Sequence, residues 1–214
     1  MASRKLRPAR SLGILLGMMI GFAGLPAMAD GNPEAGKAQA APCGACHGQD
    51  GATGLDPTYP NLAGQNQKYL VRQLEAIRDG GREIPLMAGQ LNGKSDQDLA
   101  DLAAYFSSLP EKTRQAQGDD EQLEAARKIY KGGIADRQVA ACTACHAPSG
   151  NGNDEAGFPS IGGQPTGYVI NQLTAYREGD RTTDEVYGGM MRGVARGLTD
   201  KEIATLADFI QGLY

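Results

Sequence analysis

Cys43-Gly-Ala-Cys46-His47 and Cys142-Thr-Ala-Cys145-His146 contain all four cysteines and both histidines of the chain. Each is a C-x-x-C-H pentapeptide, and that spacing suits c-type haem attachment. Two thiols three positions apart reach the two vinyl groups along one edge of a haem and form thioethers. The imidazole beside the second thiol then lies under the iron. Two such motifs, with no Cys or His left over, imply two covalently bound haem c groups held through Cys43, Cys46, Cys142 and Cys145. Other uses of these residues fail on counting. One motif offers zinc three ligands where a structural site takes four, and the two together lack ribbon or finger spacing. A thioredoxin-like dithiol belongs at a strand–helix junction in a βαβ pattern, which is absent. Two disulfides would suit an oxidising compartment, but they leave the placement of both histidines unexplained.

His47 and His146 supply one axial ligand each, and the residue on the opposite face decides between electron transfer and catalysis. No third histidine exists, so bis-histidine ligation would need one domain to lend its histidine to the other. Beyond residue 29 only Met87, Met190 and Met191 remain as soft donors. Met87 and Met191 each precede a helix N-cap, Ser95 or Thr199, by eight residues. Core filler need not land on the same position of both copies. Met87 and Met191 are therefore the expected iron ligands, with adjacent Met190 the alternative in the second copy. A thioether favours Fe(II), raises the reduction potential and closes the iron to small ligands. Pro60 and Pro159 each lie 13 residues after a haem histidine. Their carbonyls are placed to accept the free imidazole N–H and orient the ring, although a loop proline with no such role has the same sequence.

The elements that hold these residues come as a tandem repeat. A shift of 99 superposes the two motifs, Tyr59-Pro60 on Phe158-Pro159, Gly64-Gln65 on Gly163-Gln164, Tyr69 on Tyr168, and Arg78 on Arg177. From the methionines onward the shift is 104, so the second copy carries five extra residues near Thr182 to Gly189. The period is too long for a solenoid, and each copy reads as a small domain around its own haem. The expected fold is all-α, a few short helices per haem. Tyr69, Leu70, Gln73, Leu74 and Ile77 follow helical spacing up to Gly80-Gly81, with a twin from Tyr168 to Gly179. Ser95 caps a closing helix that buries Leu99, Leu102, Ala103 and Phe106 before Pro110. Its twin opens with the capping box Thr199-x-x-Glu202 and buries Ile203, Leu206, Ala207 and Ile210. A short helix precedes each motif, one from Asn32-Pro33, the other from about Glu121 to Tyr130. No stretch alternates as a strand does. Tyr59, Phe158, Tyr69 and Tyr168 are expected to wall the haem pockets. Arg78 and Arg177 suit either haem propionates or a helix C-terminus.

Residues 1–29 read as an export signal: four basic residues, an apolar run from Leu12 to Leu25 too short to span a bilayer, and Ala27-Met28-Ala29 for cleavage after Ala29. The remaining chain then divides into a first domain over 30–109, a polar linker over 110–120 and a second domain over 121–214. Losing the signal removes four positive charges and no negative ones, so the formal charge falls from −4 to −8. That argues against nucleic acid or anionic lipid as a partner. Thirty glycines, about twice the usual share, point to loops that pass close to something flat.

These features together resemble the class I cytochromes c: C-x-x-C-H near the start of a domain, a proline loop, a later methionine and a closing helix. Two such domains in one exported chain look like the dihaem cytochromes c of the cytochrome c-four type. The Y/F-P-x-L/I-x-G-Q stretch at Tyr59 to Gln65 and Phe158 to Gln164 belongs to that resemblance. It implies a periplasmic electron carrier, soluble or loosely membrane-associated, that passes single electrons from a cytochrome bc complex or similar donor to a terminal oxidase. It also implies ligation by His47 with Met87 and His146 with Met191, and two haems close together across a pseudo-twofold interface. A carrier of this kind is not an enzyme and has no small-molecule substrate. The competing reading is a dihaem peroxidase or sulfur-compound oxidase in which one methionine is displaced.

Overall fold

Side chains that cap helix ends set out the architecture. The computed structural model describes residues 30–214, so the export signal assigned to 1–29 lies outside the described residues. Asn32 accepts hydrogen bonds from the amides of Glu34 and Ala35 and starts α1 (Pro33–Gln39). Then come α2 (Ala41–His47), α3 (Gln67–Arg78) and α4 (Asp96–Ser108). The cap of α4 is a full capping box, because Asp98 bonds back to the Ser95 amide while Ser95 accepts from Asp98. The second copy supplies α5 (Asp120–Gly132), α6 (Thr143–His146), α7 (Thr166–Glu178), α8 (Met190–Ala195) and α9 (Asp200–Gln211). The expected Thr199–Glu202 box opens α9. Helix α5 starts at Asp120 because Asp119 and Gln122 form a further box there, and it runs two residues past Tyr130. Among the described residues the only β pairings are isolated bridges at Ile134–Val139 and Asn153–Phe158. None of the described helices is long and apolar enough to cross a membrane.

Each copy closes on its own core. Leu102, Ala103 and Phe106 of α4 pack with Leu70 and Val71 of α3, and Leu99 is fully buried. Ile203, Leu206, Ala207 and Ile210 of α9 pack with Ala126 and Tyr130 of α5 and Val169 of α7. Each large side chain fully buried there contributes roughly 1.5–3 kcal/mol. Helix α1 crosses α4 at backbone distance, since a Cβ on Gly36 would lie 2.0 Å from the Asp101 carbonyl oxygen.

The polar stretch after Pro110 is pinned to both domains. Arg114 donates to the carbonyl of Ala52 (3.0 Å) and to Asn61 Oδ1 (3.3 Å). The amides of Gln117 and Gly118 donate to Asp208 in α9, and Ser160 Oγ donates to Glu111.

Candidate haem sites and the surface between them

Helices α2 and α6 gather each Cys-x-x-Cys-His into a single turn that ends on the histidine. His47 and His146 are each only 7% exposed. His47 Nδ1 lies 3.0 Å from the Pro60 carbonyl oxygen and His146 Nδ1 lies 2.9 Å from that of Pro159. A carbonyl only accepts, so Nδ1 holds the proton and the Nε2 lone pair is free to bind a metal. Burial lowers the pKa of both rings, outweighing the opposing proline carbonyl, so both are neutral, the form an iron ligand needs. The sequence-based role for both prolines is thus seen in the structure. The residue after each histidine turns the chain sharply: Gly48 has φ 83° and ψ 151°, and Ala147 has φ 63° and ψ 163°.

No disulfide joins the four cysteines. As unmodified thiols, Cys43 would have its pKa raised by burial and Cys142 would be pushed up to about 11. Among the described residues no three His, Cys, Asp or Glu side chains converge on a possible metal.

The methionines sit in different local structures. Met87 ends a 3₁₀ turn, Pro85–Met87, while Met191 lies in α8. The five-residue insertion accounts for the difference. Asp184, buried within it, takes the Arg192 amide and Nε at 2.8 Å each and so braces the segment leading to Met191. Met87 and Met191 are both half-buried. Their neighbours Leu86 and Met190, also equivalent under the shift of 104, are 69% and 42% exposed. Each pair therefore turns one member outward and one inward. Met190 Sδ nevertheless lies 3.8 Å from Cys145 Sγ, beside the second motif.

The hydroxyls of Tyr69 and Tyr168 face the other domain. Arg181 donates to Tyr69 (2.9 Å), Gln73 (2.8 Å) and Gln172 (2.7 Å). Arg82, its equivalent under the shift of 99, donates to Tyr168 (3.3 Å), Gln172 (2.9 Å) and Gln73 (2.9 Å). Two guanidinium groups thus meet at the domain boundary with no carboxylate partner among the described residues, and Arg181 is 6% exposed. Burial would raise the Tyr69 phenol, but the charges of Arg181 and Arg82 outweigh it and bring the pKa to about 8. A buried cation needs compensation, so this donor set fits an anionic haem propionate. Tyr59, by contrast, has its ring 6.2 Å from that of His47, and Phe158 packs against Tyr187 of the insertion at 5.3 Å. Arg78 and Arg177 are helix-end residues. Each bonds the acidic first residue of the closing helix, Asp96 or Asp200, at 2.6 Å.

Glutamines whose role the sequence left unread complete the boundary. Gln65 takes the Ser160 amide (2.8 Å) and donates to the Ser160 carbonyl (2.7 Å). Gln164 takes the Asn61 amide (3.0 Å) and donates to the Asn61 carbonyl (3.0 Å). Asn61 maps on Ser160 and Gln65 on Gln164 under the shift of 99, so the boundary has pseudo-twofold symmetry.

Two helical domains, each ending a C-x-x-C-H turn on a buried neutral imidazole, define a tandem dihaem electron-transfer protein. The chain belongs to the cytochrome c family, whose model matches residues 33–110 and 117–214. It is 45% identical over 206 residues to cytochrome c4 of Stutzerimonas stutzeri, covering 92% of this chain and 96% of that one. The crystal structure of reduced recombinant cytochrome c4 from Pseudomonas stutzeri superposes with a TM-score of 0.81 at 46% identity, over 86% of this chain and all of that one. More distant is a thiosulfate dehydrogenase electron acceptor of Stutzerimonas stutzeri (strain A1501), 32% identical over 168 residues, 78% of this chain and 76% of that one. Family membership carries covalently bound haem c, and the two cysteine pairs fit two such groups.

Proposed function

We propose that this protein is an exported, periplasmic one-electron shuttle that carries electrons from a cytochrome bc complex or similar donor to a terminal oxidase. In this reading residues 1–29 are a leader cleaved after Ala29, and domains over 30–109 and 121–214 flank a linker at 110–120. His47 with Met87 and His146 with Met191 are the axial ligands. Bound haem supplies a reversible Fe(III)/Fe(II) couple. The chain contributes its tethers, its axial donors, a dry surround and the charges at the domain boundary. The observation that carries the reading is the matched pair of imidazoles, fixed by Pro60 and Pro159 at 3.0 and 2.9 Å, each with a half-buried methionine at the same repeat position.

With both irons closed by sulfur, no site is left for substrate, which separates a carrier from a peroxidase or sulfur-compound oxidase. One observation favours a second reading. Met190 lies against Cys145 beside Met191, so two thioethers are available to one iron and exchange between them would open it. The thiosulfate dehydrogenase electron acceptor among the relatives adds a sulfur-compound oxidase as a possible class of donor. Absorbance and spectroelectrochemistry decide. The far-red Met–Fe(III) band is expected to integrate to two haems. Met87→Ala and Met191→Ala are each expected to give one low-potential haem that binds carbon monoxide, and Met190→Ala to leave both haems nearly unchanged. Rapid, tight cyanide binding to one haem of the wild type would support the enzyme reading, and a Met190→Ala protein behaving like Met191→Ala would move the ligand to Met190.

A further inference from the structure

The amide of Asn61 and the carbonyl of Pro60 belong to one peptide group. That carbonyl accepts the His47 Nδ1–H at 3.0 Å, and its amide donates to Gln164 Oε1 of the other domain at 3.0 Å. The second copy repeats the arrangement. The peptide joining Pro159 to Ser160 accepts from His146 at 2.9 Å and donates to Gln65 Oε1 at 2.8 Å. Both glutamines, with Asn61 and Ser160, are 5% exposed, so water does not substitute for these bonds.

We infer that Gln164 is a positioning residue for the axial histidine of the first domain, and Gln65 for that of the second, each acting across the boundary through a single shared peptide. The physics is polarisation along a hydrogen-bonded chain. An acceptor on the N–H pushes electron density onto the carbonyl oxygen of the same peptide. A more negative oxygen takes a stronger bond from Nδ1–H, and the imidazole becomes a better donor to the ferric ion. The glutamine Nε2 also donates to the carbonyl on the far side of residue 61 or 160, so the peptide plane cannot tilt away from the ring. Each domain in this way biases the redox centre of the other without touching its iron. The inference rests on the proposed ligation by His47 and His146.

The test is an NMR-monitored redox titration of the two-haem protein, with haem-methyl resonances assigned to each domain and the histidine Nδ1 shift read by nitrogen-15 labelling in the ferrous state. Gln164→Met is expected to raise the ferrous-to-ferric ratio of the first-domain haem about threefold at fixed potential, or about 28 mV at about 59 mV per tenfold change for one electron. The His47 Nδ1 shift should move with it, while the second haem stays in place. Gln65→Met should do the reverse. Gln164→Asn, one methylene too short to reach, serves if the Met variant does not fold. Gln164→Glu, kept neutral by burial, retains one donor and one acceptor and should restore the wild-type values. A shift confined to the haem of the mutated residue's own domain would overturn the inference. So would equal shifts at both haems with an enlarged radius of gyration, the mark of mere domain loosening, or no shift at either haem. A wild-type protein without two histidine-ligated low-spin haems would instead refute the ligand assignment itself.

Discussion

Gly48 and Ala147 occupy equivalent positions directly after His47 and His146, and both need a backbone that glycine alone adopts freely. With φ 63° and ψ 163°, Ala147 sits where a Cβ clashes with its own backbone. A non-glycine residue held there costs of order 1–3 kcal/mol. Ala147→Gly removes that strain and adds unfolded-state freedom worth about 0.5–1 kcal/mol against folding. The net expectation is about 1 kcal/mol of stabilisation, or roughly 2–4 °C in Tm for a chain of this size. The reciprocal change is worse than strain alone, because a Cβ on Gly48 would lie 2.7 Å from the Thr53 carbonyl oxygen. Gly48→Ala should therefore cost about 2–3 kcal/mol. Thermal unfolding of the two-haem protein, followed by far-ultraviolet dichroism, measures both, with the haem absorption spectrum as a check on ligation. A neutral or destabilising Ala147→Gly, or a harmless Gly48→Ala, would refute the reasoning.

Gly36→Ala drives a methyl into the Asp101 carbonyl and should destabilise the first domain by about 2 kcal/mol; guanidinium unfolding reads it, and an unchanged midpoint would show that α1 can slide on α4. Glu202 has its pKa held down to about 2, chiefly by its bonds with Arg137; burial opposes this and the Thr199 cap adds to it. Because the folded-state pKa is depressed, that stability is fully present above the ordinary value of 4.5 and disappears as pH falls through about 2. Glu202→Gln should then lower stability at pH 7 by no more than about 1 kcal/mol, the ceiling for an exposed ion pair, and its unfolding curve should merge with the wild type near pH 2.

Local chemistry made much of this protein legible. The pentapeptides, the prolines 13 residues on, and the caps at Asn32, Ser95 and Thr199 all act through neighbours in sequence. The buried faces of α4 and α9 follow from periodicity alone. The domain boundary did not read the same way, because its partners lie about 85–115 residues apart, where no propensity or spacing rule reaches. No spacing rule shows that Tyr69 and Tyr168 take Arg181 and Arg82 on their hydroxyls across the boundary. One signal was present: Gln65, Gln73 and Arg82 recur as Gln164, Gln172 and Arg181 under a single shift. Polar residues on a free surface have no reason to repeat in that way. The capping box of α5 was missed for a different reason, since its Asp119 falls within a run of polar residues that reads as linker.

The glutamine contacts are one patch meeting its own copy, the self-complementary geometry of an isologous dimer. A single ancestral unit bearing Asn or Ser at position 61 and Gln at position 65 would already carry both halves of the joint. Fusing two units turns a dilution-sensitive pairing into one held at a fixed local concentration. It also frees the halves to diverge, as the insertion after Arg181 shows, while the shared seam keeps them in step.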